Sequence, residues 1–229
     1  MGFGWAVADQ LNHFGFHSEN INKVLLLKVA WGGKSLAVDF RPPSSGGTTG
    51  PYYKSTIDIV KNTLADVKHI FPEESGDVVL SGFAWHQGWN DGCDDNMAKE
   101  YETNLANLIR DVRKDLNVAD LPFAIAATGM EGYSKQPGRR EDVINAELKV
   151  PTLLEFMGNV ATVDTRPFAR GPAPASPTTF DYHWMSNAES YWLIGQSLGD
   201  AMVGLVERRE RGKYFGEKPS EQHIVTEIY

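Results

Sequence analysis

Apolar residues along this chain fall into two alternating patterns. Continuous apolar runs of strand length occur at residues 23–30, 78–84 and 122–128, and a weaker one occurs at 159–164. Runs without polar alternation are typical of strands that are covered on both faces, as in parallel sheets. The pattern therefore predicts four strands of a mainly parallel sheet.

Helical spacing fills the stretches between these runs. Apolar positions three and four residues apart predict helices at about residues 3–14, from Pro51 to just before Pro72, over 97–116 and over 139–149. The capping-box sequence Ser186–Glu189 predicts the start of a last helix. Strands and helices in alternation predict an α/β fold.

The length of 229 residues fits one domain, which we expect to span residues 1–207. Residues 208–229 are charged and predict a solvated tail, in which 221–229 alternate enough to form a short terminal strand. The single Cys93 excludes an internal disulfide.

Charge and hydropathy exclude several classes of partner. The net charge of −8 argues against nucleic acid, whose phosphates require clustered Lys and Arg. No apolar run approaches 18 residues, so no membrane span is expected. The first residues lack a basic start followed by an apolar core, so the sequence as written predicts a cytoplasmic protein.

Two polar segments follow predicted strands, at residues 31–35 and 85–91. Ligands of open α/β sheets bind beyond the carboxyl ends of the strands, so both segments are candidate site loops. Gly32-Gly33 can present backbone N–H groups to a ligand, and the amides of Gln87 and Asn90 can donate to an oxyanion. Local hydrogen bonding within the loops is the alternative role for the two amides.

His183 is the best candidate for chemistry. It follows the long loop 165–185 and precedes a predicted helix N-terminus, which favours the neutral imidazole that a general base requires. Asp181 stands two residues earlier and is placed to orient the ring. On spacing alone, a loop histidine beside a turn carboxylate is an equal alternative.

Four of the six tryptophans, Trp31, Trp85, Trp89 and Trp184, fall in these candidate loops. Indoles beside polar groups suit a sugar, although at least one is expected to pack in the core. The acidic residues at 91, 94 and 95 near Cys93 match no metal-site spacing, and we interpret them as carboxylates before a helix. No metal and no cofactor are expected.

Three segments together resemble the SGNH-hydrolase superfamily, and most closely the sialate O-acetylesterase-like carbohydrate esterases. They are KVAWGGKSL at 28–36, FAWHQGWND at 83–91 and DYHWMSNAESYWLIG at 181–195. The resemblance covers about residues 2–205. It implies a flavodoxin-like three-layer sandwich with a mainly parallel sheet, and an enzyme that hydrolyses acetyl esters.

The resemblance also implies roles for particular residues. The backbone N–H of Gly33 and the side chain of Asn90 would form the oxyanion hole, with Gln87 as a further donor. His183 would be the base and Asp181 its partner, although the family usually places this acid three residues before the histidine. Substrate contacts are expected from Trp31, Trp85, Trp89, Trp184 and Ser35.

One feature of the family is not found in this sequence. Family members begin with a strand that ends in a Gly-Asp-Ser or Gly-Gln-Ser-Asn turn carrying the nucleophile. We therefore expect the first strand and its serine to be missing, which would leave a gap in the sheet. The segment 223–229 is expected to fill that gap, either in its own chain or by exchange within a homodimer.

Three functions remain open at this point. The chain is an esterase in which His183 activates water, or one in which Ser35 replaces the family serine, or a non-catalytic carbohydrate-binding remnant or inactive fragment. The retained His183, Gln87, Asn90 and Gly33 favour an enzyme. The expected substrate is an acetylated sugar or another small acetate ester.

Overall fold

The computed structural model of the protein describes residues 2–13, 24–73, 78–133 and 138–215. Five α-helices and three β-strands alternate along the described residues. In chain order they are α1 (Gly2–His13), α2 (Pro51–Ile70), β1 (Phe83–Trp85), α3 (Asp95–Asp115), β2 (Phe123–Ala126), α4 (Arg139–Lys149), β3 (Val160–Val163) and α5 (Ala188–Phe215).

The three strands form one parallel sheet in the order β1-β2-β3. Phe83 pairs with Phe123, and Phe123 pairs with Val160, so the strands start at the same level and their carboxyl ends lie along one edge. Helices flank the sheet, which confirms the predicted α/β fold with a parallel sheet. β2 and β3 lie inside the predicted apolar runs 122–128 and 159–164 and are shorter than them, whereas β1 overlaps the end of the run 78–84 and extends one residue beyond it.

Alternate residues of β2 enter two separate parts of the core. Phe123 and Ile125 pack with Tyr101, Leu105 and other residues of α3 and α4 on one face. Ala124 and Ala126 pack on the opposite face against Ile194, Leu198 and Met202 of α5. α1 packs against α5. The small alanines on the second face let α5 approach closely, which gives the predicted three layers.

The predicted first strand, 23–30, is wrong for the residues that are described, because 24–30 form no strand. A strand requires a neighbouring backbone with which its N–H and C=O groups can pair. Among the described residues, no ladder includes this segment. Leu25 and Leu26 are about half exposed, at 51% and 49%.

The sheet edge at β1 is apolar and open within the described part of the chain, where β1 pairs only with β2. Val78 and Val79 lead into β1 with 43% and 65% of their surface exposed. The filling of this edge by 223–229 stays a prediction, because those residues lie outside the described ones. The absence of the family's first strand stays a prediction too.

The last helix starts one residue later than the capping box predicts. Asn187 is the cap, and its Oδ1 accepts a hydrogen bond from the N–H of Ser190 at 3.0 Å. Glu189, predicted to complete the capping box, instead pairs with Arg170. α5 continues through residues 208–215, the start of the segment predicted as a tail.

No helix among the described residues is long and apolar enough to cross a membrane.

Candidate active site

Five loops surround one end of the molecule. The segments 86–93, 127–133 and 164–171 follow the carboxyl ends of β1, β2 and β3, and the segments 31–37 and 180–186 lie beside them. Gly88 shows how closely these loops pack. A Cβ at this position would lie 2.8 Å from methyl groups of Thr128 and Val143, so a larger residue would force the loops apart.

Asp91 fixes the 31–37 loop to the 86–93 loop. Its fully buried carboxylate accepts hydrogen bonds from the N–H groups of Leu36 and Ala37, each at 2.9 Å. Burial raises the pKa of this carboxyl group, while the hydrogen bonds oppose that shift. Asp91 was interpreted from the sequence as a carboxylate before a helix. The structure shows that it is a buried acceptor between two loops.

Gln87 joins the same two loops. Its Nε2 donates to the carbonyl of Lys34 at 2.8 Å and to Oδ2 of Asp91 at 2.7 Å. Its Oε1 lies 3.2 Å from the hydroxyl of Tyr101. Because a carboxamide has only two N–H donors, both donors of Gln87 are engaged. The structure thus gives Gln87 a role between loops in place of the predicted oxyanion contact.

On these joined loops, the N–H of Gly33 and the side-chain amide of Asn90 have no hydrogen-bond partner among the described residues. Gly33 is exposed and has a left-handed backbone with φ of 67°, and nothing lies within 4 Å of the place where a Cβ would be. Asn90 is half-buried, and its side chain makes no hydrogen bond to any described residue. The loops thereby present one backbone and one side-chain donor to a ligand.

His183 is exposed and lies on the short 3-10 segment Asp181–Ser186. Its carbonyl accepts a hydrogen bond from the hydroxyl of Tyr191 at 2.8 Å, which anchors the backbone to α5. Its ring contacts the Tyr182 ring, with centroids 4.6 Å apart. The Tyr182 ring lies 6.0 Å from the Trp89 ring, so this segment adjoins the loop that carries Asn90.

Asp181 does not contact His183 through its carboxylate. No hydrogen bond or ion pair joins the two side chains in the described structure, and Asp181 lines a cleft. The predicted Asp–His pair is therefore not assembled in this conformation.

The backbone directly after His183 is strained. Trp184, Met185 and Ser186 have φ values of 49°, 49° and 58°, although none is a glycine. Left-handed conformations of such residues are uncommon and cost about 1–3 kcal/mol each. Strain of this kind is frequent where a loop must hold a functional group in a defined place.

The four tryptophans predicted to contact substrate occupy different environments. Trp85 and Trp184 are buried in the two cores, with 7% and 2% exposed, so the structure assigns both to packing. Trp31 is half-buried and contacts Phe40 and Tyr52. Trp89 lines a cleft, and the guanidinium of Arg140 lies 3.8 Å from its ring centroid.

Ser35 is buried, with 1% of its surface exposed. Its hydroxyl donates to Asp39 at 3.1 Å and accepts from the N–H of Val38 at 3.2 Å. The hydroxyl thus stabilises the turn at 35–39. This position replaces the predicted contact of Ser35 with substrate.

Two adjoining clefts open beside Trp89, with volumes of about 280 and 640 Å³. They share Glu131, Gly132 and Arg166. The remaining walls include several charged or aromatic side chains, namely Arg139, Arg140, Glu141, Tyr133, Arg170 and Asp181. Such walls offer donors, acceptors and a flat ring to a polar ligand.

The acidic residues near Cys93 do not form a metal site. Asp94 caps α3 by accepting hydrogen bonds from the N–H groups of Asn96 and Met97, as the sequence predicts for this segment. Among the described residues, no group of three or more His, Cys, Asp or Glu side chains is arranged to bind a metal ion.

Sequence reasoning missed two buried polar residues beneath the site, Tyr101 on α3 and Glu147 on α4. Both are 0% exposed. A signal was present for Glu147, because it lies four residues after the apolar Val143 and so shares the buried face of the helix. A charged residue at such a position is rare unless it is paired or functional.

Comparison with known proteins adds to this geometry. The family model described as "Carbohydrate esterase, sialic acid-specific acetylesterase" matches residues 1–204. A protein from Arabidopsis thaliana solved by X-ray crystallography has a similar fold, with a TM-score of 0.51 and 23% identity over 75% of this chain. The chain spans 57% of the length of that structure. No curated protein matches this chain at a significant level.

Proposed function

The chain belongs to the carbohydrate esterase family of sialic acid-specific acetylesterases, and we propose that it hydrolyses acetyl esters of sugars. The observation that carries this proposal is the pair of free donors on the joined loops. Within the described part of the chain, no partner uses the N–H groups of Gly33 and of the Asn90 side chain, while Gln87 and Asp91 hold their loops together. An oxyanion hole requires donors that are placed before the reaction begins.

In the proposed reaction, His183 acts as the general base. Its neutral imidazole removes a proton from water as the water oxygen bonds to the acetyl carbon. The carbonyl oxygen becomes an oxyanion that accepts hydrogen bonds from Gly33 and Asn90. The carbon–oxygen bond to the sugar then breaks, and the imidazolium returns the proton to the leaving sugar oxygen.

Water is the proposed nucleophile because of the surroundings of His183. In the described structure no serine or threonine hydroxyl forms a hydrogen bond with the imidazole of His183. Ser35, the alternative nucleophile, is buried and engaged in its own turn. Asp181 is the proposed electrostatic partner of the imidazolium, since it belongs to the same short segment.

The clefts beside Trp89 support a sugar as the alcohol part of the ester. Their walls combine the rings of Trp89 and Tyr133 with several arginine and carboxylate side chains. Sugar rings have apolar faces and polar edges, and this mixture of side chains suits both. Other small acetate esters would use the same oxyanion donors without filling the clefts.

The proposal is tested by measuring acetate release from an O-acetylated sugar and p-nitrophenol release from p-nitrophenyl acetate. We expect turnover of both esters, with no initial burst of p-nitrophenol, because direct attack of water forms no acyl-enzyme. A burst equal to the enzyme concentration would contradict water as the nucleophile. Folded protein that binds the sugar and releases no acetate would instead support the carbohydrate-binding alternative.

A further inference from the structure

A buried polar chain runs beneath the loop that carries Asn90. The hydroxyl of Tyr101 lies 2.5 Å from the backbone oxygen of Gln87 and 3.4 Å from Oε1 of Glu147. Oε2 of Glu147 accepts hydrogen bonds from the N–H and the hydroxyl of Thr128, at 2.8 and 3.1 Å. Glu147 thus contacts both Tyr101 below the 86–93 loop and the first residues after β2.

The surroundings of Glu147 disfavour a negative charge. The side chain is 0% exposed, and among the described residues no Lys, Arg or His forms an ion pair with it. The titratable groups that face it are Tyr101 from α3 and the carboxyl group of Asp91 from the 3-10 turn after the loop. Thr128 after β2 and the hydroxyl of Thr162 on β3, which donates to the Glu147 backbone, carry no charge.

The protonation state of Glu147 affects the hydrogen bond between Tyr101 and Gln87. The Tyr101 hydroxyl has one proton, and the backbone oxygen of Gln87 is its nearest acceptor. A protonated Glu147 can donate its own proton to the oxygen of Tyr101. The Tyr101 hydroxyl then keeps its hydrogen bond to the backbone oxygen of Gln87. An ionised Glu147 is a charged acceptor that competes for the same proton with the backbone oxygen and Oε1 of Gln87, and it repels Asp91.

We propose that Glu147 is a positioning residue, which holds the Asn90 loop in place through Tyr101 and Gln87 while its carboxyl group is protonated. The proposal rests on the proposed esterase function, because it assigns Glu147 to the site that carries the oxyanion donors. Burial raises the pKa of Glu147 to about 8, which agrees with a protonated group at neutral pH. Glu147 contacts no substrate and acts through Tyr101.

The sign of the pH effect follows from this assignment. A glutamate in the unfolded chain loses its proton near the ordinary value of 4.5, whereas the folded protein keeps the proton up to about pH 8. The contribution of Glu147 to the free energy of unfolding is therefore fully present below about pH 4.5. It is lost as the pH rises through about 8. The Asn90 loop should loosen over the upper part of that range.

Hydrogen exchange of peptides covering residues 86–93 tests the proposal without any need for activity. The variants are Glu147→Leu, which removes both hydrogen-bonding groups, and Glu147→Gln, which imitates the protonated acid. With rates corrected for the intrinsic pH dependence, we expect about tenfold faster exchange in Glu147→Leu and near-normal exchange in Glu147→Gln at pH 7. The wild type alone should accelerate between pH 7 and 9.

Kinetics provide the second readout. We expect Glu147→Leu to lower kcat about tenfold with little change in KM, and Glu147→Gln to restore most of the loss and to lack the wild-type decline above pH 8. Unchanged exchange of the loop in Glu147→Leu, or the same pH profile in wild type and Glu147→Gln, would overturn the proposal. If the protein hydrolyses no ester, the proposed esterase function is wrong. The hydrogen-exchange results still test whether Glu147 positions the Asn90 loop.

Discussion

At the scale of single residues, the candidate site depends on which N–H donors already form hydrogen bonds within the protein. Gln87, Asn90 and Gly33 look alike in the sequence, since each can donate to an oxyanion. The structure separates them, because both N–H groups of Gln87 are engaged and those of Asn90 remain free. A side chain's type is visible in the sequence, whereas its partners come from loops 50 or more positions away, such as Lys34 for Gln87.

Asn90→Ala is expected to lower kcat about 10²-fold with little change in KM. A donor that meets the developing oxyanion stabilises the transition state more than the bound ester. Steady-state kinetics on p-nitrophenyl acetate measure both constants. Asn96→Ala is the matched control, because Asn96 is exposed in the first turn of α3. A rise in KM alone would make Asn90 a binding group.

Ser35 is expected to remain unlabelled by a serine-directed phosphonate. Its hydroxyl is buried and bonded within the 35–39 turn, so a reagent cannot approach it along the path of attack. Peptide mass mapping of the treated protein gives the result. An adduct on Ser35 would restore the hypothesis that this serine replaces the family nucleophile.

At the scale of elements, the sequence pattern predicts the helices well and the strands only in part. Helices α1 to α4 begin and end within a few residues of their predicted limits, because each satisfies its own backbone hydrogen bonds. A strand depends on a neighbour that may come from anywhere in the chain. Residues 24–30 have the composition of a strand, yet no described segment pairs with them.

Asn187 at the start of α5 links helix and site. Its Oδ1 caps the helix at Ser190, and its Nδ2 donates to the carbonyl of Ala175 at 2.8 Å and to the hydroxyl of Ser176 at 3.1 Å. Loss of a cap costs about 0.5–2 kcal/mol, and each lost buried hydrogen bond costs about 1 kcal/mol more. We expect Asn187→Ala to lower the free energy of unfolding by about 2.5–4 kcal/mol.

Urea denaturation measures this loss of stability. The variant Asn187→Asp separates the contribution of the capping oxygen from that of the two amide donors. Aspartate keeps the acceptor for the N–H of Ser190 but removes both amide donors, so its effect on stability should be smaller than that of alanine. Equal stability of the alanine variant and the wild type would contradict the capping role.

At the scale of the whole molecule, apolar side chains are exposed both just before β1 and in the segment 24–30. Leu25, Leu26, Val78 and Val79 leave large fractions of their side chains accessible. An unpaired sheet edge and exposed apolar surface beside it favour association with another chain. We expect the protein to self-associate as its concentration rises, which agrees with the homodimer expected from the sequence.

Light scattering coupled to size exclusion tests this expectation. The double variant Leu25→Lys and Val79→Lys should lower the mass in solution, because charges placed on exposed apolar surface oppose association. Val38→Lys is the matched control, since Val38 is 56% exposed but lies in the 35–39 turn. A wild-type mass equal to one chain at all concentrations would show that the edge does not cause association.

The family and the site loops were visible in the sequence, whereas the arrangement of the catalytic groups was not. The segments containing Gly33, Asn90 and His183 each follow an apolar run or a long loop, which is why the topology predicts that they form one site. The missing contact between Asp181 and His183 could not be predicted, because spacing along the chain does not give the direction in which either side chain lies.

The most direct test of the account is the rate of acetyl-ester hydrolysis by His183→Ala. A positioned acid–base group contributes about 10²–10⁴-fold, so kcat/KM should fall by at least 10²-fold while the circular dichroism spectrum stays that of the wild type. The control is His69→Ala, which removes an exposed histidine in the last turn of α2 and should leave the rate unchanged. Retention of more than about a tenth of the wild-type rate by His183→Ala would contradict its role as the base.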